Sequence, residues 1–231
     1  MIPKIIHYCW LSNDPIPTQL QNYINSWKKY LPDYEFILWN FERFDKDSSL
    51  WVKQAFEAKK YAFAADYIRL YALYNYGGIY LDMDVEVLKS FNPLLTGKYI
   101  VGYETQTGIE AGIIGAEPNS TWVKNCLKYY ENKSFINEKG GYETETLPKI
   151  IYKILKDNNL LGIEIQPLPN DYLTAKSYKT GVVTITSNTY SIHHFAGSWH
   201  GKKEKLYKFV SKRLGTKVAK FCSRIYKEFK Q

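Results

Sequence analysis

Asp82 and Asp84 stand one residue apart at the end of an apolar run, Gly78-Ile79-Tyr80-Leu81. Asp is a poor strand former, so two of them closing a buried-looking strand point to chemistry. On a strand, residues i and i+2 share a face. The alternation therefore predicts that the two carboxylates converge on one point, with Met83 facing away. Two hard oxygen ligands so placed suit Mg2+ or Mn2+. The competing reading is a strand end that runs into a turn, with both Asp solvated. Upstream, Asp66 and Arg69 are three apart, on one face if the segment is helical. At a surface such a pair contributes under ~1 kcal/mol. Its neighbours are mostly apolar, which predicts a partly buried pair suited to gripping a polar ligand. A late cluster, His193-His194, precedes Phe195-Ala196-Gly197-Ser198-Trp199. Neutral imidazole joins carboxylates in binding Mn2+. Strand alternation sends the two rings to opposite faces, so one of them at most can serve. The plainer reading has one ring packed and the other solvated.

These residues need elements to position them. Tyr61 to Tyr76 reads as a helix with an apolar stripe of Ala62, Ala65, Leu70, Leu73 and Tyr74, and Gly77 is a natural stop. The layout is thus helix, Gly-Gly turn, strand, Asp-x-Asp. Ile2 to Leu11 reads as a buried first strand containing Trp10, and Asn13 to Pro17 as a loop. Thr18 to Leu31 reads as an amphipathic helix carrying Leu20, Ile24 and Trp27, and Tyr34 to Asn40 as a second strand. Asn40 falls at the strand end where open α/β sheets bind ligands; as a turn residue it would have no such role. Ser48 to Lys60 follows as a short helix capped by Ser48 or Ser49. After a breaker at Ser90-Phe91-Asn92-Pro93 come strands over Tyr99–Glu104 and Gly108–Gly115, the latter holding Glu110. Helices are expected over Asn119–Asn132 and Thr146–Asn158, and strands over Ile163–Leu168, Val182–Thr186 and Tyr190–Phe195. Strands alternating with helices, then a mixed end, indicate an α/β nucleotide-binding fold.

Residues 1–200 suit one domain and 201–231 an appendage. Cys9, Cys126 and Cys222 show no disulfide framework or zinc spacing, which fits a reducing compartment. No run of eighteen apolar residues predicts a transmembrane helix, and the N-terminal residues lack the features of a signal peptide. Residues 201–231 hold eleven Lys or Arg against two Glu, so the net charge of +8 resides there and the rest is near neutral. Leu206, Val210, Leu214, Val218, Phe221, Ile225 and Phe229 recur at helical spacing. A basic amphipathic helix of this kind lies on an anionic membrane surface. Packing on the domain, or an oligomer contact, are the alternatives. Nucleic acid is disfavoured, because no recognition motif accompanies the charge.

Ala65-Asp66-Tyr67-Ile68-Arg69 followed by Gly77-Gly78-Ile79-Tyr80-Leu81-Asp82-Met83-Asp84 resembles the core of glycosyltransferase family 32. These are sugar transferases with a sugar-binding region containing a DXD motif, and the glucosylating clostridial toxins share that core. The opening Ile2-Pro3-Lys4-Ile5-Ile6-His7-Tyr8-Cys9-Trp10 is similar to the family's first strand. With the late His-Phe-x-Gly-Ser-Trp, the resemblance runs from residue 2 to about residue 200. It implies a GT-A type fold with a mixed central sheet. It also implies a retaining, metal-dependent transfer from a nucleotide-sugar, a UDP-sugar foremost, to a glycan or lipid-linked glycan. That reaction belongs to capsular or surface polysaccharide synthesis at the cytoplasmic face of the cell membrane.

The resemblance also assigns roles. Asp84 and His194 would hold Mn2+ or Mg2+, and Asp82 would support the metal through water and bind ribose or sugar hydroxyls. Asp66 and Arg69 would orient the donor sugar. Trp10 would stack on the base, Asn40 would contact the nucleoside and Tyr80 would line the donor site. Gly197 lets backbone approach phosphate closely, with Ser198 and Trp199 donating to the diphosphate. The run holding Glu110 should lie near the donor sugar, although many relatives carry Asn at about that position. Two other classes compete: a metal-dependent phosphohydrolase, and a non-catalytic carbohydrate- or membrane-binding protein on a transferase scaffold.

Overall fold

The computed structural model describes residues 1–105 and 108–196. Its centre is a five-stranded mixed sheet. Strand β1 (Ile5–Cys9) lies between β2 (Glu35–Trp39) and β3 (Gly78–Leu81), parallel to both. On the other side of β3, β8 (Ile113–Ala116) runs antiparallel, followed by β5 (Tyr99–Ile100) at the edge. Parallel neighbours need a crossover. Helix α1 (Thr18–Tyr30) supplies the one between β1 and β2, burying Leu20, Ile24 and Trp27. Helices α2 (Leu50–Glu57) and α3 (Tyr61–Tyr76) lie between β2 and β3, and Ser49 caps α2 by accepting from the Val52 N–H.

Helix α3 has the bounds its pattern predicts, but its buried face is wider than the predicted stripe. Ala64, Asp66, Ile68, Arg69, Leu70, Ala72 and Leu73 are all buried. It packs on the sheet and also against α2 and α4 (Thr121–Lys128), so few of its sides stay wet. The helix turns into the central strand through two glycines with positive φ, Gly77 at +64° and Gly78 at +95°. A Cβ on Gly77 would lie 2.7 Å from Pro118 Cδ, and one on Gly78 would lie 2.6 Å from the Ile5 carbonyl oxygen. This turn is locked to β1 from inside. The Trp39 indole N–H donates to His7 Nδ1 at 3.1 Å, and His7 Nε2, which must then carry the ring proton, donates to the Gly77 carbonyl at 2.8 Å.

Several predicted strands take other forms. The Gly108–Gly115 run divides: β7 (Gly108–Ile109) pairs with β6 (Tyr103–Thr105) as a separate ribbon, and β8 joins the central sheet. The residues between, Glu110 to Gly112, leave the ladder. Ile163–Leu168 and Val182–Thr186 form only isolated bridges, Gly102 with Leu168, Leu161 with Ile165 and Lys176 with Val183. Ile163 is 71% exposed and Ile185 61%. Strand-like residues with no sheet face to pack on gain little from extension. Helix α5 (Leu147–Asp157) is as expected, and a short unpredicted helix, α6 (Asn170–Leu173), follows. Two short strands, β4 (Val85–Val87) and β9 (Ser191–His193), pair antiparallel beside the main sheet. The basic segment 201–231 lies outside the described residues. Among the described residues no helix is long and apolar enough to cross a membrane.

The His7 lock has a pH signature. Burial, partly offset by the Gly77 hydrogen bond, pushes its imidazole down from an ordinary 6.5 to about 4. Above pH 6.5 the ring is neutral folded or unfolded and costs nothing. Between pH 6.5 and 4 the unfolded chain takes the proton first, so stability falls as pH falls and levels off below 4. The loss attributable to this ring is about 3 kcal/mol. Denaturant unfolding across that window should show His7→Gln with a shallower acid dependence than the native chain. Parallel profiles would show that His7 titrates normally in the fold.

Candidate active site

Strand β3 delivers Asp82, but it does not carry the Asp-x-Asp. The strand ends at Leu81. The Asp82 N–H donates to the Gly112 carbonyl at 2.7 Å, and the Val85 N–H returns to the Asp82 carbonyl at 3.0 Å. Asp82 to Val85 is therefore a tight turn between β3 and β4, which corrects the expectation of alternation along one strand. The turn still brings both carboxylates to one place.

The third member of the group is His193. Its Nε2 lies 3.4 Å from Asp84 Oδ1 and 4.0 Å from Asp82 Oδ2. One ligand atom from each of Asp82, Asp84 and His193 can be chosen within 4.8 Å of the others. His194, the ligand predicted from the resemblance, lies elsewhere. Its Nε2 is 2.9 Å from Glu86 Oε2, and its ring stacks on Tyr23 at a centroid distance of 4.6 Å. The register explains the exchange. Glu86 pairs with Ile192 and Val85 with His193, so His194 shares the sheet face of Ile192 and Glu86 and meets Glu86 diagonally. A strand through Asp84 would have carried that residue to the same face. The turn swings it to the other, where His193 stands.

Arg69 occupies the inner wall. Its Nη2 lies 3.1 Å from Asp66 Oδ1 and 3.2 Å from Asp82 Oδ1, and Nη1 donates to the Ala111 carbonyl at 2.5 Å. The predicted Asp66–Arg69 pair is thus formed, on one helical turn, and it is buried. Arg69 Nε is buried with no hydrogen-bond partner among the described residues. Burial raises the Asp66 carboxyl to about 6, with Arg69 pulling it down and Asp82 pushing it up. Burial likewise raises Asp82, against the opposing pull of Arg69 and His193.

Glu110, which the sequence left without a role, stands behind His193 at 1% exposure. Its Oε1 lies 2.9 Å from His193 Nδ1 and accepts from the Gly112 N–H at 2.6 Å, while Oε2 accepts from the Thr174 hydroxyl. Burial opposes charge on both partners. The mutual attraction wins, holding His193 well above its ordinary range, and the imidazole together with the three hydrogen bonds holds Glu110 below the usual carboxylate range.

The other expected residues fall into three groups. Trp10 and Asn40 follow the C-terminal ends of parallel β1 and β2, at the same sheet edge as Asp82. There the Trp10 indole donates to the Asp14 carbonyl at 2.8 Å. Asn40 Oδ1 accepts from the Glu42 and Arg43 N–H groups, so its contacts lie within its own turn. Tyr80, expected in the donor site, is instead 1% exposed, with the Arg69 guanidinium 4.5 Å above its ring. It supports Arg69 from below. Ser198 and Trp199 lie outside the described residues. Sequence reasoning missed the contributions of Thr174 and Gly112 and left Glu110 unassigned. The available signal was an ionisable residue inside an apolar run, Ile109-Glu110-Ala111-Gly112.

Comparison with known proteins adds the following. Residues 17–101 match the family described as "Glycosyltransferase sugar-binding region containing DXD motif". The chain is 33% identical over 146 residues to mannosyl phosphorylinositol ceramide synthase CSH1 of Saccharomyces cerevisiae, covering 59% of this chain and 38% of that protein. It is 26% identical over 220 residues to inositol phosphoceramide mannosyltransferase 1 of Schizosaccharomyces pombe, covering 91% of this chain and 66% of that one. The chain thus spans less than two thirds of the length of these curated relatives. Among solved structures, PaToxG glycosyltransferase superposes with a TM-score of 0.50 at 20% identity, over 68% of this chain and 69% of that one. The fold is of the GT-A glycosyltransferase type, with a mixed central sheet.

Gly112 sits where the site is tightest. A Cβ there would lie 2.7 Å from His193 Cε1, 2.8 Å from Asp82 Oδ2 and 3.0 Å from Glu110 Oε1. Gly112→Ala should displace one of these groups, so that the Mn2+ affinity expected of a two-carboxylate, one-imidazole set falls at least ~10-fold from the native chain's, read by calorimetric titration. Binding at native strength would show that the pocket has room to spare.

Proposed function

We propose that this chain is a metal-dependent glycosyltransferase that moves a sugar from a nucleotide-diphosphate sugar to a glycan or lipid-linked acceptor. The observation that carries the reading is the convergence of Asp82, Asp84 and His193 beside the Asp66–Arg69 pair, at the C-terminal edge of a GT-A type sheet. Two carboxylates and an imidazole form a donor set suited to Mn2+ or Mg2+. When bound there, such a cation supplies positive charge for a departing diphosphate.

The chain's own groups do the rest. Arg69 and Asp66 are held rigidly by each other, by Asp82 and by the Ala111 carbonyl. They present a fixed charge pattern that orients the donor, the positioning on which group transfer depends. Trp10 and Asn40 lie on the flank where a base and ribose would rest. Retention of configuration is proposed with the family resemblance. The relatives' names, mannosyltransferases of inositol phosphoceramide, favour a lipid acceptor over a capsular one. They also set a GDP-linked mannose beside a UDP-sugar as the donor to test. The basic segment 202–231 would hold the enzyme on an anionic leaflet, where each Lys or Arg contributes about 1 kcal/mol. This reading puts the enzyme at the cytoplasmic face of a membrane.

Titration with UDP and GDP, each with and without Mn2+, tests the reading. One nucleotide should bind only with the metal present. The corresponding nucleotide-sugar should be turned over, with kcat/KM falling at least ~100-fold in Asp84→Asn. Failure of both nucleotides to bind in the presence of Mn2+ would refute it. Release of inorganic phosphate without sugar transfer would assign the site to a phosphohydrolase.

A further inference from the structure

We propose that Glu110 is a positioning residue that holds a proton on His193 Nδ1 and so aims Nε2 at Asp82 and Asp84 as the nitrogen that a cation takes. The inference rests on the cation site of the preceding section. It concerns the group that makes His193 competent as a ligand.

Imidazole can offer a lone pair to a cation from one nitrogen while the other carries the proton. Which nitrogen does so is decided by the partner behind the ring. Here His193 Nδ1 meets Glu110 Oε1 at 2.9 Å, and Nε2 is the nitrogen that faces the two Asp. An ionised carboxylate only accepts hydrogen bonds. Glu110 therefore fixes a proton on Nδ1, so that the proton released when a cation binds is the one on Nε2.

The carboxylate is itself held from two sides. The Gly112 N–H donates to Oε1 at 2.6 Å, and the Thr174 hydroxyl donates to Oε2. Thr174 is 3% exposed. A fully buried carboxylate with every near donor spent on it is expensive to keep without a purpose. The face of the His193 ring is closed by Phe195, at a centroid distance of 4.1 Å, with Phe195 in the left-handed region at φ +52°. A strained backbone residue beside the ring is consistent with an orientation that the fold maintains at some cost. Glu110 thus serves the imidazole and does not reach toward a donor sugar.

Three variants and one spectrum test this. Glu110→Met keeps the length of the side chain and removes the acceptor. Mn2+ affinity, read from the free-ion EPR signal without any nucleotide, should fall at least ~10-fold. Glu110→Gln, whose amide oxygen can still accept from Nδ1, should retain most of the affinity. Thr174→Val should lose affinity in the same direction as Glu110→Met but by less. Histidine 15N spectra of the Mg2+-loaded native chain should show His193 protonated on Nδ1. Native affinity in Glu110→Met, or a His193 protonated on Nε2 and bare on Nδ1 in the Mg2+-loaded native chain, would overturn the proposal. The spectrum decides even where Glu110→Met fails to fold. A native chain that binds no Mn2+ would overturn the cation site together with this role. A native chain that binds while Glu110→Met binds equally well would overturn this role alone.

Discussion

Arg69 is a buried guanidinium clamped between two carboxylates, and the site is arranged around its charge. It belongs to α3, yet it reaches Asp82 beyond the Gly-Gly turn and the Ala111 carbonyl across the sheet. One side chain thus ties the crossover helix to the end of the central strand and to the segment before β8. An exposed pair such as Lys53–Asp47 contributes under about 1 kcal/mol. Removing one partner of a buried, hydrogen-bonded pair costs about 3–5 kcal/mol, because the other charge is left stranded. Tyr80 beneath the guanidinium and the aliphatic residues of α3 around it supply the low-dielectric setting that makes the difference.

The charge balance of the pocket follows from this. Among the described residues, Asp66, Asp82, Asp84 and Glu110 gather around Arg69 and the ring of His193. Arg69 is shared by Asp66 and Asp82, and Glu110 faces the back of the ring. Asp84 Oδ1 and Asp82 Oδ2 face the front of the imidazole, at 3.4 and 4.0 Å from Nε2. A divalent cation would add its charge where these oxygens and Nε2 converge. Burial raises Asp66 and Asp82, and the carboxylates of Glu110 and Asp84 raise His193 against burial.

Much of this was legible in the sequence where a local pattern decides the structure. The α3 bounds, the Gly77 stop and the Asp66–Arg69 pair depend on helical periodicity and on one backbone conformation. The Asp-x-Asp was legible as a pair of converging carboxylates but not in the geometry that brings them together. Alternation assumes that a strand continues, and the Val85 N–H closes a turn on Asp82 instead. That one hydrogen bond changes the face on which Asp84 lies, and with it the histidine that Asp84 meets. His193 and His194 were rightly separated to opposite faces. Choosing between them required the β4–β9 register, which is a tertiary property. Glu110 and Thr174, 64 residues apart, carry no local signal of their contact, and Tyr80 looked like a donor-site residue because it stands two residues before Asp82 in the motif. The strands expected near residues 163–168 and 182–186 failed for the opposite reason: their composition suits a sheet, but no sheet face was there to receive them.

His193, and not His194, is the ring placed to join Asp82 and Asp84 around a cation. Electron spin-echo envelope modulation of the Mn2+-loaded chain reads nitrogen coupled directly to the metal. A nitrogen signal present in the native chain and in His194→Ala, and lost in His193→Ala, is the predicted result. A signal that survives in His193→Ala and disappears in His194→Ala would contradict the account.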